Sequence, residues 1–157
     1  MRKIDTIWIH CSATPPSMDV DAETVRKWHT DEPPTGNGWS DIGYHFFIGR
    51  GGLVESGRAI DKVGAHVKGN NKMSIGICYA GGVNEDGEPC NNMNRTQRAA
   101  IVQIVRSLRI VLNTPLTLKG HNDDPNTNKA CPSFRVDEEF ADLIAWLRHY
   151  DAKTGNR

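Results

Sequence analysis

From residue 94 to 112 the chain repeats Ile101, Ile104, Val105, Leu108, Val111 and Leu112 at helical spacing, behind an Asn94/Gln97 pair placed to form a capping box. A one-sided helix of that length is stable only when its apolar stripe lies against another apolar layer. Short strands supply the layer. Residues 4–10 are β-prone, and period two sets Ile7 and Ile9 on one face and Trp8 and His10 on the other. Residues 44–48 predict a second strand, joined through the turn 49–52 to a third at 53–55. Alternating Ile75, Ile77 and Tyr79 predict a buried strand over 74–80, and 116–119 a short one. Two more helices are expected. One is capped by Asp19 or Asp21 and carries Ala22, Val25 and Trp28 on one side; the other closes the chain with Val136, Phe140, Leu143, Ile144 and Leu147 on one face. Strands and helices alternate, so the expected class is α/β, a central mixed β-sheet flanked by helices in one domain spanning 1–157, with its core over about 4–150.

Composition narrows the functions such a domain can have. Nineteen Lys and Arg balance nineteen Asp and Glu, which leaves no global field to attract nucleic acid or an anionic membrane. No run approaches membrane-spanning length, so no membrane insertion is expected. The first residues lack the apolar core of a signal peptide, which predicts synthesis in a reducing cytoplasm. There the four cysteines are expected as free thiols or metal ligands rather than disulfides.

His10, His121 and Cys131 stand at two predicted strand ends and in a loop, where a scaffold presents functional side chains. Imidazole nitrogen and thiolate sulfur suit Zn²⁺, and three protein ligands leave a fourth position open, as in catalytic zinc sites. Pro132 restricts Cys131 to extended backbone and so directs its sulfur. Spacing alone does not single these residues out, since no C-x-x-C or H-E-x-x-H pattern is present. Read singly, they are a strand-end histidine, a loop histidine and a small buried thiol. Asp123 and Asp124 sit beside His121, but in an Asn- and Pro-rich loop they are expected to cap turns. Cys11 follows His10 and should face the core. His29, His45 and His149 read as structural or surface residues, with His45 facing away from Tyr44 by strand alternation.

Five segments occur in order: WIHCSAT at 8–14, GYHFFI at 43–48, GAHVKGN at 64–70, SIGI at 74–77 and KACPSF at 129–134. Together they resemble the type-2 N-acetylmuramoyl-L-alanine amidases, nearest to the lysozymes (endolysin amidases) of T7-like phages. The resemblance implies a central sheet flanked by helices, one zinc ion, and hydrolysis of the lactyl-amide bond joining N-acetylmuramic acid to L-alanine in bacterial peptidoglycan. Matched by motif, it implies His10, His121 and Cys131 as zinc ligands, Tyr44 and Lys129 as catalytic helpers, and His66 beside the substrate groove; a closed site with His66 as fourth ligand is the alternative. The chemistry agrees with these residue types. Zinc polarises an unreactive amide carbonyl and brings the pKa of bound water to about 7, while a phenol and an ammonium can donate to the oxyanion that forms.

The function expected is therefore that of a phage endolysin, monomeric, made in the host cytoplasm and acting on the cell wall after release. Alternatives are a cytoplasmic amidase recycling soluble muropeptides, a non-catalytic peptidoglycan-recognition module, and a structural zinc protein. The complete set of thiolate, two histidines, Tyr44 and Lys129 argues for catalysis. Almost nothing precedes the first strand, whereas the phage lysozymes resembled carry a longer amino-terminal tail, so a contact with phage RNA polymerase that depends on that tail stays open. The loops 31–38 and 122–128 are longer than the resembled pattern, which bears on substrate preference.

Overall fold

The computed structural model describes residues 2–155. Its centre is the strand β1 (Thr6–Cys11), whose last five residues are buried. β2 (Phe46–Ile48), β3 (Val54–Ser56), β4 (Ser74–Tyr79) and β5 (Thr117–Gly120) complete a sheet in the order β3-β2-β4-β1-β5. β1 pairs in parallel with both β4 and β5, β2 in parallel with β4, and only the edge strand β3 runs antiparallel. The mixed sheet expected from the alternating pattern is thus observed.

The two faces of β1 divide the molecule. Ile7, Ile9 and Cys11 join Ile75, Ile77 and Tyr79 of β4 in one core beneath α2 (Arg95–Leu112). Ile101, Val105 and Leu108 of that helix, with Leu143 and Leu147 of the closing helix, cover this face. Across the sheet, α1 (Ala22–Thr30) sets Ala22 and Val25 against Phe47, Cys78 and Ala80. Trp8 and His10 lie on this second side, buried but outside the first core.

Local chemistry explains the boundaries. Asp21 caps α1 by accepting from Thr24 N–H at 2.7 Å. Asn94 accepts from Gln97 N–H at 2.9 Å while Gln97 Oε1 accepts from Asn94 N–H at 3.1 Å, the expected capping box. Gln97 also donates to the Ala80 carbonyl at 2.8 Å, so the cap fastens α2 to the end of β4. Arg109, fully buried, donates to Asp151 at 2.6 Å and holds α2 to the last helix.

Several expectations need correction. The first strand starts at Thr6, with Asp5 donating to the Met73 carbonyl as a lead-in. β2 starts at Phe46 rather than residue 44. Trp28 is 38% and Val111 75% exposed, because the helical period sets each at the flank of its stripe, turned away from Ala22 in α1 and from Ile101 and Val105 in α2. The closing helix is two: α3 (Val136–Glu139) and α4 (Ala141–Thr154), broken where buried Phe140 leaves helical geometry and Arg98 takes up the Glu139 carbonyl at 2.8 Å. No helix among the described residues is long and apolar enough to cross a membrane.

These contacts separate a hydrogen-bonded cap residue from a stripe residue exposed to solvent. Asn94→Ala should lower unfolding free energy by about 1 kcal/mol in chemical denaturation, whereas Val111→Ala should stay within about 0.5 kcal/mol of wild type.

Candidate metal centre and cleft

Parallel pairing sends the C-terminal ends of β1, β4 and β5 to one edge of the sheet, the usual place for a ligand in such folds. Ile9 is in register with Gly120, so the next residues, His10 and His121, emerge side by side with ring centroids 4.8 Å apart. His121 opens a short 3₁₀ turn whose geometry is set by Asp123, which accepts from Gly120 N–H at 2.7 Å. Asp124 accepts from Asn126 N–H at 3.2 Å. Both aspartates cap the turn, as expected.

Cys131 comes from a segment pinned onto the same edge. Tyr79 Oη donates to the Pro132 carbonyl at 2.7 Å, Ser133 Oγ to the Gly82 carbonyl at 2.6 Å, and Asn122 N–H to the Cys131 carbonyl at 2.7 Å. The sulfur accepts from Cys11 N–H at 3.3 Å and stands 3.8 Å from His10 Nδ1; the neighbouring Cys11 thiol and then burial push Cys131 well above the usual thiol range, so it is a thiol until a cation draws off its proton. The candidate ligand atoms of His10, His121 and Cys131 all lie within 4.8 Å of one another, close enough to hold a metal ion. Cys11 itself turns into the core.

The electrostatics suit ligation. Burial, then His66, His121 and Lys129, pull His10 well below the usual histidine range, and burial with Lys129 lowers His121. Both rings are therefore neutral near pH 7, with lone pairs available.

Tyr44 precedes β2, and its half-buried ring lies 5.0 Å from that of His10. Burial first, then the thiols of Cys78, Cys131 and Cys11, push the phenol well above its usual range, so it remains a proton donor. Lys129 is exposed on the loop opposite. Tyr44, His121, Lys129 and Cys131 line one hollow of about 460 Å³. An adjoining one of about 880 Å³ runs past His66, Lys68, Asn126 and Thr127.

His66 is buried against the site, with Nδ1 3.1 Å from His10 Nε2 and Nε2 3.5 Å from Ser74 Oγ. Burial, with His45 and His121 next, lowers it to about 3. His45 is structural, its Nδ1 accepting from Gly76 N–H at 3.0 Å, but the expected alternation against Tyr44 fails because the ladder starts only at Phe46. His29 and Trp39 were not singled out as site residues. His29 accepts from Gly43 N–H at 3.0 Å and packs 5.5 Å from the Tyr44 ring, while Trp39 lines both hollows. No local pattern marks them, since their place depends on α1 folding against the segment before β2. His149 is exposed on α4, as expected.

The N-acetylmuramoyl-L-alanine amidase family model (Amidase_2) matches residues 1–134. The endolysin of Enterobacteria phage K11 is 39% identical over 156 residues, covering 99% of this chain and 93% of the relative. The endolysin of Escherichia phage T7 is 38% identical over 156 residues, covering 98% and 91%. The solved N-acetylmuramoyl-L-alanine amidase LysC from Clostridium intestinale URNW superimposes with a TM-score of 0.73 at 27% identity, covering 91% of this chain and 87% of that one. With a family match over most of its length and near-full-length endolysin relatives, the chain belongs to the N-acetylmuramoyl-L-alanine amidase family, as an amidase of the phage-endolysin kind.

Proposed function

We propose that the chain is a zinc-dependent lytic amidase that cuts the lactyl-amide bond between N-acetylmuramic acid and L-alanine in bacterial peptidoglycan. The observation that carries this reading is the convergence of two neutral imidazoles and a sulfur at the floor of a cleft with a phenol and an ammonium on its walls. The donor set fits zinc. Bonds of about 2.0 Å to nitrogen and about 2.3 Å to sulfur put tetrahedral ligand atoms roughly 3.5 Å apart, and His10 Nδ1 lies 3.8 Å from Cys131 Sγ. Two nitrogens and a thiolate leave a position for water or substrate.

Zinc there would supply Lewis acidity and a water made acidic enough to react near neutral pH. The protein's own groups do the rest. Tyr44, kept protonated, donates to the amide oxygen as negative charge develops on it. Lys129 reaches the same hollow from the other wall and adds a second donor. Either can hand a proton to the departing amine of L-alanine. The larger hollow, with Lys68, Asn126 and Thr127 on its rim, offers polar partners for the sugar and stem peptide.

Purified protein is expected to hold one zinc per chain and to release new L-alanine amino termini from peptidoglycan without new reducing ends. A chelator should abolish the activity and added zinc restore it. Full activity in metal-free protein, or reducing ends without new amines, contradicts the proposal.

The helper residues should separate from the ligands. Tyr44→Phe and Lys129→Ala are expected to keep zinc while losing roughly 10²–10³ in rate, the usual cost of a lost oxyanion donor; metal analysis beside wall lysis reads both quantities.

The neighbouring cysteines give a matched pair. Cys11→Ser should cost about 1–3 kcal/mol of stability yet bind zinc and keep most activity, because its side chain lies in the core. Cys131→Ser, with a comparable circular-dichroism spectrum, should lose both.

A further inference from the structure

The imidazole of His66 occupies a space kept open for it. A Cβ on Gly76 of β4 would come within 2.7 Å of His66 Cγ, and one on Gly64 within 2.6 Å of its Cδ2. The backbone beneath is held as well, since His66 and Val67 N–H groups both donate to Asn71 Oδ1 at 2.9 Å. Both ring nitrogens have partners within the protein. Nδ1 meets His10 Nε2 at 3.1 Å, and Nε2 meets Ser74 Oγ at 3.5 Å, the longest link. Ser74 Oγ in turn donates to the Asn70 carbonyl at 2.8 Å.

This chain of contacts has a direction. A backbone carbonyl only accepts, so the Ser74 proton is committed to Asn70 and its oxygen offers a lone pair to His66. His66 then carries its proton on Nε2 and presents a lone pair at Nδ1. His10 must therefore carry its proton on Nε2 and donate it to His66. Its remaining lone pair falls on Nδ1, the nitrogen 3.8 Å from Cys131 Sγ.

We infer that His66 is a positioning residue which, through the relay Asn70–Ser74–His66, sets the tautomer and ring orientation of His10 so that Nδ1 is the metal-binding atom. The inference rests on the zinc reading above and assigns to His66 a task distinct from ligation and from contact with substrate. Partners of this kind are worth roughly 10–100-fold in metal affinity.

The test is zinc affinity by competition with a chelating indicator for wild type, His66→Leu, His66→Asn and Ser74→Ala, with KM and kcat measured at saturating zinc. His66→Leu removes the acceptor and should weaken zinc binding roughly 10–100-fold. In His66→Asn the amide oxygen can take the place of Nδ1 and should restore most of that loss, with KM unchanged once zinc saturates. Ser74→Ala, which cuts the relay one step further out, should weaken binding by a smaller factor and carries the test together with His66→Asn if His66→Leu does not fold. Wild-type zinc affinity in His66→Leu, or in Ser74→Ala if His66→Leu does not fold, overturns the inference, as does a raised KM at unchanged zinc affinity, which would make His66 a substrate contact. Failure of His66→Asn to restore binding overturns it too. Wild-type protein that binds no zinc overturns the metal reading itself, an outcome separable from all of these.

Discussion

The register of β1 between two parallel neighbours is the constraint on which the site depends. Hydrogen-bonded to β4 on one side and β5 on the other, β1 has no freedom to slide. A shift of one residue would carry Ile7 and Ile9 out of the core and His10 into it. Because the ladder ends with Ile9 opposite Gly120, His10 and His121 are neighbours by backbone geometry before their side chains make any contact. The Cys131 segment is then fastened across the same edge by Tyr79, Ser133 and Asn122.

Bringing several imidazoles together away from solvent requires that they be neutral and individually satisfied. Burial lowers His10, His66 and His45, the last to about 4. His45 and His29 accept backbone N–H groups from Gly76 and Gly43, while His10 and His66 use one another. Small residues make this packing possible: a side chain on Gly43 would meet the Ala65 carbonyl at 2.3 Å, and one on Gly76 would strike His66. Neutral rings also retain the lone pairs that a metal site requires, so the packing that satisfies the interior and the chemistry of the cleft favour the same protonation state.

Elements with a strong local period were legible from the residues alone. The α2 capping box, the buried β4 run and the two faces of β1 follow from patterns of a few residues, and all are present. Boundaries were less legible where tertiary contacts intervene. At the break before Phe140, Arg98 from another helix takes up the Glu139 carbonyl, and Trp28 and Val111 at the flanks of their stripes are exposed. The candidate ligands were visible as residue types at strand ends and through family motifs, although their spacing carried no ligand signature.

Residue patterning was thus sufficient for the α/β class, the inward face of each main element and the candidacy of His10, His121 and Cys131, because these follow from periodicity, residue chemistry and motif likeness. Only the folded chain decided that His10 meets His66 across 56 residues of sequence and Cys131 across 121. It also decided that His29 and Trp39 belong to the cleft wall. Such contacts are created by strand register and loop closure between distant segments, and a pairing made by the whole fold leaves no mark in the local spacing of either partner.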